Sequence, residues 1–499
     1  MHENVPTLEE LFDDDVVIEG DPSLRLRGVA EDSRAVVPGG LFVARSGSEL
    51  QGSQFIEDAI RRGAVALLVE TGAQLALPQP APVVIRAKDP RVAGARAAHR
   101  FHGMPCDGLS VVGITGTNGK TTVAWFVRAL LADVGRRCGL VGTIEIDDGR
   151  EKRVSALTTP SASVLAEALG RMARHGCDSV VLEASSHALD QGRLRGVSPR
   201  IALFTNLSGD HLDYHGTLET YAAAKARLFE SVEKGGLAIV NVDDPAHARM
   251  IRDARCGVLR CSTRGAPADA QAQMIEMSRH GSRFRLEGPW GVIESEAGIV
   301  GRHNAENLLL AVAAVHALGV ESERLASAIS AVQAPPGRLE PVPDQRADFS
   351  VFVDYAHTDD ALENVLQAAR PLVTQGGRLS VLFGCGGDRD RTKRPRMAEV
   401  ANALADRIIV TSDNPRTEDP VAIVEDIMAG VHESSRDSVL IEVDRARAIE
   451  AAIDDARSGD VLVIAGKGHE DYQIIGTERR DFDDRLIASA ALARRGDAS

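Results

Sequence analysis

The chain of 499 residues has a formal charge of −15 at pH 7 and six cysteines. At roughly 100–200 residues per domain, this length predicts about three domains, each large enough to bury its own core. The acidic excess argues against nucleic acid or an anionic membrane as the main partner, because both are bound through broad basic surfaces.

The cysteines and the first residues bear on the compartment. No Cys-x-x-Cys pair is present, and Met1-His2-Glu3-Asn4 does not begin a basic and then apolar signal segment. No apolar run approaches the roughly 20 residues that span a bilayer. We therefore expect a reduced, cytoplasmic protein without membrane insertion.

Short apolar runs alternate with helical patterns along the chain, beginning with residues 41–44 and 64–69 of an N-terminal block. This alternation predicts an α/β protein with mostly parallel sheets. A stiff turn, Pro335-Pro336-Gly337-Arg338, ends a middle block and is suited to a hinge.

A glycine-rich turn follows the apolar run Leu109–Val112 and precedes an amphipathic helical stripe. In such a turn the backbone N–H groups and the helix N-terminus hold phosphate, a lysine adds charge, and a hydroxyl ligates Mg²⁺. Ile114 replaces the usual first glycine, so the turn is a variant P-loop that is expected to bind ATP or GTP. Its expected phosphate-binding residues are Gly116, Thr117, Asn118, Gly119, Lys120, Thr121 and Thr122.

Two further strand ends in the middle block carry possible metal ligands. Glu183 follows the run Val180–Leu182, and a dense set of oxygen and imidazole groups that includes His211 follows Ile201–Phe204. Mg²⁺ prefers oxygen but tolerates one imidazole. Because these ends share a sheet edge with Thr121, we expect a Mg²⁺ site there. The absence of an Asn-Lys-x-Asp motif argues against a GTPase.

The last block contains four apolar runs, each leading into a polar loop. In an open parallel sheet such loops meet at the carboxyl ends of the strands and form the ligand crevice. Gly and Asp are also ordinary turn residues, so solvated turns are the alternative. The runs are 351–353, 379–383, 408–410 and 461–464, and the loops are 354–357, 384–389, 412–416 and 466–470.

Together these residues resemble the Mur ligase family, the ATP-dependent amide-forming enzymes of peptidoglycan precursor synthesis. The family motifs occur in order over essentially the whole chain: Gly116–Thr122, Glu183–His187, Asn206–Gly216, Tyr221–Lys225, Gly301–Asn307, Pro336–Glu340 and Asp354–Thr358. The resemblance implies three domains. These are a smaller α/β UDP-sugar-binding domain (1–108), a central P-loop ATPase-like domain with a mostly parallel sheet (109–337) and a C-terminal Rossmann-like amino-acid-binding domain (338–499). We expect a monomer.

Within the family, the loop Asp413-Asn414-Pro415-Arg416 is similar to the version that selects meso-diaminopimelate over lysine. Diaminopimelate has a second carboxylate at the end of its side chain, which the Arg416 guanidinium can bind bidentately. The resemblance implies that this loop, with Arg389, Gly466 and Glu470, holds the amino acid. Glu470 would face an ammonium group.

The resemblance also implies the other substrate contacts. For UDP-MurNAc-L-Ala-D-Glu, the residues near uracil or diphosphate are Ser33, Ser48, Glu49 and Leu50, and those near the muramoyl dipeptide are Thr158, Thr159, Ser185, Gln191 and Arg193. Without the resemblance, Arg193 reads as a solvated side chain. For the nucleotide, Asn304, Tyr355 and His357 would seat adenine or ribose, and Arg338 would sense phosphate.

Lys225 lies in a helical Ala-Ala-Ala-Lys context, where a surface lysine is the usual outcome. In the family this lysine is carbamylated, which converts an ammonium into a carboxylate-like ligand for a second Mg²⁺ beside His211. The implied reaction converts the D-glutamate carboxylate into an acyl phosphate that the amine of diaminopimelate displaces. Lys120, Lys225 and His211 are the expected catalytic residues, the last two as metal holders.

Other functions fit part of the pattern. A lysine-adding relative shares nearly all of it. A folylpolyglutamate synthetase-like ligase shares the P-loop and the acyl phosphate, but has no reason for the 413–416 loop or a UDP-type first domain. A nonenzymatic P-loop switch protein would leave the four-loop crevice without a role.

Overall fold

The computed structural model describes residues 5–45, 52–343, 348–374 and 376–498, and the chain divides into two compact units, Met1–Arg260 and Cys261–Ser499. The predicted α/β class is confirmed, since helices alternate with strands and most neighbouring strands are parallel. Within the described ranges, no helix combines the length and the apolar character needed to cross a membrane.

The first unit begins with a five-stranded sheet of order β1-β5-β4-β3-β2, antiparallel only at β1. Along β4, Ala66 and Leu68 enter one hydrophobic cluster and Leu67 and Val69 the other, because both faces of the sheet are covered. The elements are α1 (Leu8–Leu11), β1 (Val16–Glu19), β2 (Val29–Ala30), β3 (Gly40–Val43), α2 (Ile56–Arg61), β4 (Ala64–Glu70), β5 (Val83–Ala87) and α3 (Pro90–Phe101).

A second sheet of the first unit has the strand order β12-β11-β6-β10-β7-β8-β9, and its first five strands are parallel. Its elements are β6 (Ser110–Thr115), α4 (Lys120–Asp133), β7 (Cys138–Val141), β8 (Glu145–Asp147), β9 (Lys152–Val154), α5 (Ala162–Arg174), β10 (Ser179–Glu183), α6 (Ser186–Asp190), β11 (Ile201–Phe204), α7 (Leu212–His215), α8 (Leu218–Glu230), β12 (Leu237–Asn241) and α9 (His247–Ile251). Because β10 and β11 flank β6, their carboxyl ends lie beside the glycine-rich turn.

The second unit begins with an antiparallel meander that the sequence analysis did not predict. Its elements are β13 (Gly257–Ser262, which begins in the first unit), β14 (Ala270–Ser278), β15 (Gly281–Gly288), β16 (Gly291–Ala297), α10 (Arg302–Ala317) and α11 (Ser322–Ser330). Phe284 and Leu286 are buried on one face of β15, whereas the other face is charged. This half-buried pattern differs from the continuous apolar runs that mark the parallel strands.

The remaining sheet has the order β17-β18-β22-β19-β20-β21 and is parallel from β18 to β21, so the four predicted strands of this block are confirmed. Hydrophobic clusters cover both of its faces. The elements are β17 (Glu340–Pro341), β18 (Ser350–Asp354), α12 (Asp359–Ala369), β19 (Leu379–Phe383), α13 (Lys393–Leu404), β20 (Arg407–Val410), α14 (Pro420–Met428), β21 (Leu440–Ile441), α15 (Arg445–Asp455), β22 (Val461–Ala465), β23 (Tyr472–Ile475), β24 (Glu478–Asp481) and α16 (Asp484–Ala498).

A completely buried ion pair joins α15 to α16. Arg445 donates to both carboxylate oxygens of Asp484 at 2.8 and 2.7 Å. It also donates to the carbonyl oxygens of Ser412, the first residue of the loop 412–416, and of Ala465, which precedes the loop 466–470. One buried guanidinium therefore anchors two loop bases and the last helix.

Replacing Arg445 with methionine leaves the Asp484 carboxylate buried without its partner. We expect the variant to lose about 3–5 kcal/mol of unfolding free energy, because an uncompensated buried charge is strongly destabilising. Urea denaturation of the full chain measures the loss. The matched control is Arg494→Met, which breaks an exposed α15–α16 pair with Glu450 and should cost less than about 1 kcal/mol. Equal losses would contradict the expectation.

Candidate active site

The glycine-rich turn between β6 and α4 is held by the segment that follows β11. A side chain at Gly116, where φ is 151°, would place its Cβ 1.8 Å from Oγ1 of Thr205. The N–H groups of Thr117 and Asn118 donate to the carbonyl and side-chain oxygens of Asn206 at 2.8 and 2.9 Å. Gly119 is the N-cap residue of helix α4, and no side chain caps this helix. Uncapped N–H groups at a helix N-terminus can bind phosphate.

Two lysine amines converge on the Gly116 carbonyl oxygen. Nζ of Lys120 donates to it at 2.9 Å and Nζ of Lys225, from helix α8, at 2.7 Å. Burial, and secondly the charge of Lys120, lower the pKa of Lys225 well below its ordinary value. Two ammonium groups this close would repel by about 3 kcal/mol at an effective dielectric constant of about 20. The arrangement therefore favours a neutral Lys225 or an anion between the amines.

Glu183, at the end of β10, is buried and accepts three hydrogen bonds. Thr121 Oγ1 and Thr143 Oγ1 donate to its Oε2 at 2.9 and 3.0 Å, and the Thr143 N–H donates to Oε1 at 2.7 Å. Both carboxylate oxygens therefore accept hydrogen bonds, and the hydrogen of the Thr121 hydroxyl is directed to Glu183. A threonine hydroxyl carries two oxygen lone pairs besides its hydrogen, so a hydroxyl that donates to a carboxylate is still of a type that ligates cations.

His211 lies within a group of rings beside the turn. Its ring centroid is 4.8 Å from that of His187 and 6.3 Å from that of Tyr221. Burial lowers the pKa of His211, the charges of Lys120 and Lys225 lower it further, and Asp210 opposes them. The neutral imidazole that results is the form that ligates metals.

A chain of hydrogen bonds joins the predicted muramoyl-dipeptide residues in the first unit. Thr159 Oγ1 lies 3.2 Å from Ser185 Oγ, Arg193 donates to the Thr159 carbonyl at 2.9 Å, and Arg193 donates to Gln191 Oε1 at 2.7 and 3.0 Å. Thr158 Oγ1 lies 3.0 Å from Thr143 Oγ1. The structure therefore brings all five residues into one network with Glu183.

Residues of the first sheet approach this network through Glu31. Its carboxylate accepts from the N–H of Ser163 at 3.0 Å, in the first turn of α5, and lies 3.3 Å from Arg45. Ser33 is buried and donates to Asp58, which lowers the pKa of that carboxyl. The other predicted UDP-sugar residues, Ser48, Glu49 and Leu50, lie outside the described residues.

In the second unit, three predicted nucleotide residues form a cluster, with Tyr355 and His357 after β18 and Arg338 before β17. The Arg338 guanidinium lies 4.7 Å from the Tyr355 ring centroid, and the Tyr355 and His357 centroids are 4.7 Å apart. Asn304 is buried at the start of α10, where it donates to the Val300 carbonyl and accepts from Asn307. The Asn304 amide is thus engaged within its own helix region.

The turn Pro335–Arg338 packs closely against the loop after β22, and the residues in contact are Gly337 and Gly468. A Cβ at Gly337, where φ is 64°, would lie 2.1 Å from the His469 nitrogen. A Cβ at Gly468, where φ is 54°, would lie 2.6 Å from Cβ of Tyr355. The backbone at Gly337, the residue Tyr355 and the loop after β22 are therefore in direct contact.

The loops 412–416 and 466–470 meet around the amine of Lys467. Asn414 Nδ2 donates to Glu470 Oε2 at 2.9 Å, and Lys467 Nζ donates to the same oxygen at 3.0 Å. At Gly466 φ is 113°, and a Cβ there would lie 3.2 Å from Oδ2 of Asp413. The predicted amino-acid residues Asp413, Asn414, Gly466 and Glu470 therefore share one edge of the sheet.

Arg416 lies beside these residues, at the same edge of the sheet. Its φ is 51°, its N–H donates to the Ile474 carbonyl at 3.1 Å, and its guanidinium donates to the Gly387 carbonyl at 2.7 Å. Gly387 is packed against Pro415, whose oxygen would lie 1.9 Å from a Cβ there. Arg389 lies in the same loop as Gly387, and its guanidinium donates to the Asp388 carbonyl at 3.4 Å.

Four residues of these networks were not predicted as site residues: Glu31, Thr143, Tyr221 and Lys467. The sequence gives no signal for Glu31 or Thr143, since both lie in loops without a motif. Tyr221 lies within a family motif and Lys467 within the predicted polar loop 466–470, where attention to buried polar groups could have found them. Tyr221 OH lies 3.2 Å from Thr117 Oγ1.

Family models match three segments of the chain. The Mur ligase family catalytic domain matches residues 25–103, the Mur ligase middle domain residues 114–315, and the Mur ligase glutamate ligase domain residues 337–468. Together these segments span most of the chain.

Similar proteins were found by sequence and by structure. The ligase named UDP-N-acetylmuramoyl-L-alanyl-D-glutamate–2,6-diaminopimelate ligase from Synechococcus elongatus is 44% identical over 95% of both chains. The protein of the same name from Geobacillus kaustophilus is 42% identical over 93% of this chain and 94% of its own. A solved structure of an enzyme with this name has a TM-score of 0.69 at 34% identity, covering 98% of this chain and 99% of its own. The chain therefore belongs to the Mur ligase family.

Proposed function

We propose that the chain is the ATP-dependent ligase that adds meso-diaminopimelate to UDP-MurNAc-L-Ala-D-Glu in peptidoglycan precursor synthesis. Relatives that carry this name match it over nearly their full length. The structural observation that supports the amino-acid substrate is the meeting of the Asn414 amide, the Glu470 carboxylate and the neighbouring Arg416 guanidinium at one sheet edge. Diaminopimelate offers two carboxylates and two ammonium groups, which complement them.

The reaction begins because a carboxylate is a poor electrophile in water. The γ-carboxylate of D-glutamate attacks the γ-phosphorus of ATP, the bond to ADP breaks, and an acyl phosphate forms. The amine of diaminopimelate then attacks the acyl carbon, phosphate leaves, and the nitrogen loses a proton. Lys120 contributes charge at the transferring group, and the glycine-rich turn positions it. Arg338, Tyr355, His357 and Asn304 are the proposed nucleotide contacts, with closure of the third domain excluding water.

The donor groups at the turn fit Mg²⁺, which supplies charge neutralisation to phosphate oxygens when bound. Thr121 would hold the ion through its hydroxyl, and Glu183 would orient that hydroxyl through the observed hydrogen bond. Within the described residues, no group of three or more His, Cys, Asp and Glu side chains is arranged to hold a metal. Hydroxyl and phosphate oxygens and His211 are therefore the proposed ligands, together with Lys225 in a modified form.

Carbamylation of Lys225 is supported by its environment. The reaction consumes a neutral amine, and burial together with Lys120 lowers the pKa of Lys225. The product carries a negative charge, which relieves the repulsion between the two amines at Gly116. The modified side chain would then bind a second Mg²⁺ beside His211.

The remaining expectations are part of the same proposal. The boundaries 1–108, 109–337 and 338–499 separate the UDP-sugar, ATP and amino-acid domains, and the enzyme acts as a cytoplasmic monomer. Six free cysteines are consistent with a reducing compartment.

An amino-acid panel with UDP-MurNAc-L-Ala-D-Glu and MgATP tests the function. We expect phosphate release only when the nucleotide-sugar peptide and meso-diaminopimelate are both present. Release with lysine in place of diaminopimelate would instead support the lysine-adding alternative, and release with folate and glutamate would support the folylpolyglutamate synthetase alternative. Slow release with ATP alone is the behaviour of a P-loop switch.

Arg416→Ala tests the specificity contact. Loss of a bidentate charge-assisted contact should lower kcat/KM for meso-diaminopimelate on the order of a hundredfold. The matched control is Arg480→Ala, since Arg480 is exposed and pairs with Glu478, and its kinetics should match those of the wild type. Unchanged kinetics in Arg416→Ala would contradict the assignment of this side chain.

Lys225→Arg retains a positive charge but cannot be carbamylated. We expect activity to fall by about a hundredfold or more, because charge stabilisation at the phosphoryl group is lost. Wild-type activity should decline as the pH falls through the lowered pKa of Lys225 and recover with bicarbonate, because protonation removes the reactive amine. The exposed Lys234→Arg is the control. Intact-mass spectra with no acid-labile carbon dioxide adduct would argue against the modification.

Thr121→Val removes the hydroxyl that Glu183 orients, whereas Thr121→Ser keeps it. The valine variant should need about tenfold more Mg²⁺ for half-maximal activity, because one ligand is lost. The serine variant should remain near the wild type. The Mg²⁺ dependence of phosphate release measures both, and equal requirements in the two variants would show that the hydroxyl does not hold the ion.

A further inference from the structure

Lys467 lies between the two amino-acid loops with a completely buried side chain. Its Nζ is 3.2 Å from Oδ1 of Asn414, 3.0 Å from Oε2 of Glu470 and 3.6 Å from Oδ1 of Asp413. The Tyr472 ring centroid lies 5.3 Å from it on another side. A lysine with 0% exposure acts on its neighbours and not on solvent.

The amide of Asn414 has its orientation dictated by these neighbours. Its Oδ1 accepts from Lys467 Nζ and from the N–H of Ile474, at 3.2 and 3.0 Å. Two donors at one end of an amide require the oxygen there, because the NH₂ group has no acceptor capacity. The NH₂ group must therefore point to Glu470 Oε2, and its second N–H stays available to a ligand carboxylate.

The charges around Lys467 do not cancel. One ammonium faces the carboxylates of Asp413 and Glu470, so these three groups by themselves carry one net negative charge. Oδ1 of Asp413 has no hydrogen-bond donor among the described residues, and the Lys467 charge is its nearest compensation. Without Lys467, two neighbouring buried carboxylates would repel each other.

The backbone of both loops has a separate anchor. Arg445 donates to the carbonyls of Ser412 and Ala465, at the base of each loop. Lys467 instead contacts side chains at the top of the loops. Removal of Lys467 should therefore disturb side-chain orientation more than loop position.

We infer that Lys467 is a positioning residue for the amino-acid substrate. It fixes the amide of Asn414 as a donor and the carboxylate of Glu470 as an acceptor, so that an amino acid with a carboxylate and an ammonium group at matching places is bound. This inference rests on the proposed function, since it takes diaminopimelate as the ligand.

Lys467→Met keeps an unbranched side chain, one atom shorter than that of lysine, but removes its charge and its donors. The KM for meso-diaminopimelate should rise by about ten- to a hundredfold, because an oriented charge-assisted contact is lost. The KM values for ATP and for UDP-MurNAc-L-Ala-D-Glu should stay unchanged, a split that general destabilisation would not produce. The control is Arg378→Met, which breaks a pair with Asp460 at the opposite edge of the same sheet. It should lower thermal stability without altering any KM.

A double-mutant cycle with Asn414→Asp tests the orienting role directly. The aspartate keeps an oxygen toward Lys467 but has no NH₂ group to donate. If Lys467 acts by orienting that donor, the two changes remove the same contact. The double variant should then have nearly the same affinity for diaminopimelate as the single variant that binds it less tightly. If the losses of binding free energy in the two single variants add up in the double variant, the inference is overturned.

Two results separate this inference from the proposed function. A wild-type enzyme that does not incorporate diaminopimelate contradicts the proposed function. Incorporation by the wild type together with an unchanged KM in Lys467→Met contradicts only the role of Lys467. Should Lys467→Met not fold, Lys467→Gln takes its place in the cycle. Failure of both variants to fold would assign the amine a folding role and would also overturn the inference.

Discussion

The convergence of two lysine amines on the Gly116 carbonyl is the constraint on which the first unit depends. It requires a glycine whose backbone passes within contact distance of Thr205 and a helix α8 that delivers Lys225 into the interior. Two ammonium groups buried this close together would raise the free energy of the protein through their mutual repulsion. A neutral Lys225, or an anion between the amines, removes this repulsion.

The second unit uses buried cations differently. Arg445 and Lys467 are each paired with carboxylates and hydrogen-bonded to loop oxygens, so neither charge is left uncompensated. Buried ion pairs contribute little net stability when their desolvation is counted. Their effect here is geometric, since they fix loops that would otherwise have many conformations.

Much of the fold follows from hydrophobic patterning. The four apolar runs of the last block are strands because both faces of their sheet are covered, and the segments Ile201–Phe204 and Leu379–Phe383 have the observed bounds. The meander from Ala270 to Ala297 was missed, because a sheet with one charged face lacks such runs. The glycine-rich turn was recognisable from its motif. The hydrogen-bond partners Thr143 and Glu31 could not be recognised in this way, because contacts between residues distant in the chain leave no local sequence pattern.

The contact between Gly337 and Gly468 has a mechanical meaning. No side chain separates these two backbones, so rotation at Gly337 would have to be accommodated by Gly468 and His469, one residue before Glu470. The same glycine pair abuts Tyr355. In the proposed function the Tyr355 and His357 rings hold the nucleotide and the Glu470 carboxylate holds the amino acid, so we expect binding of one to alter binding of the other. Thermodynamic linkage of this kind is reciprocal: each ligand changes the affinity for the other by the same factor.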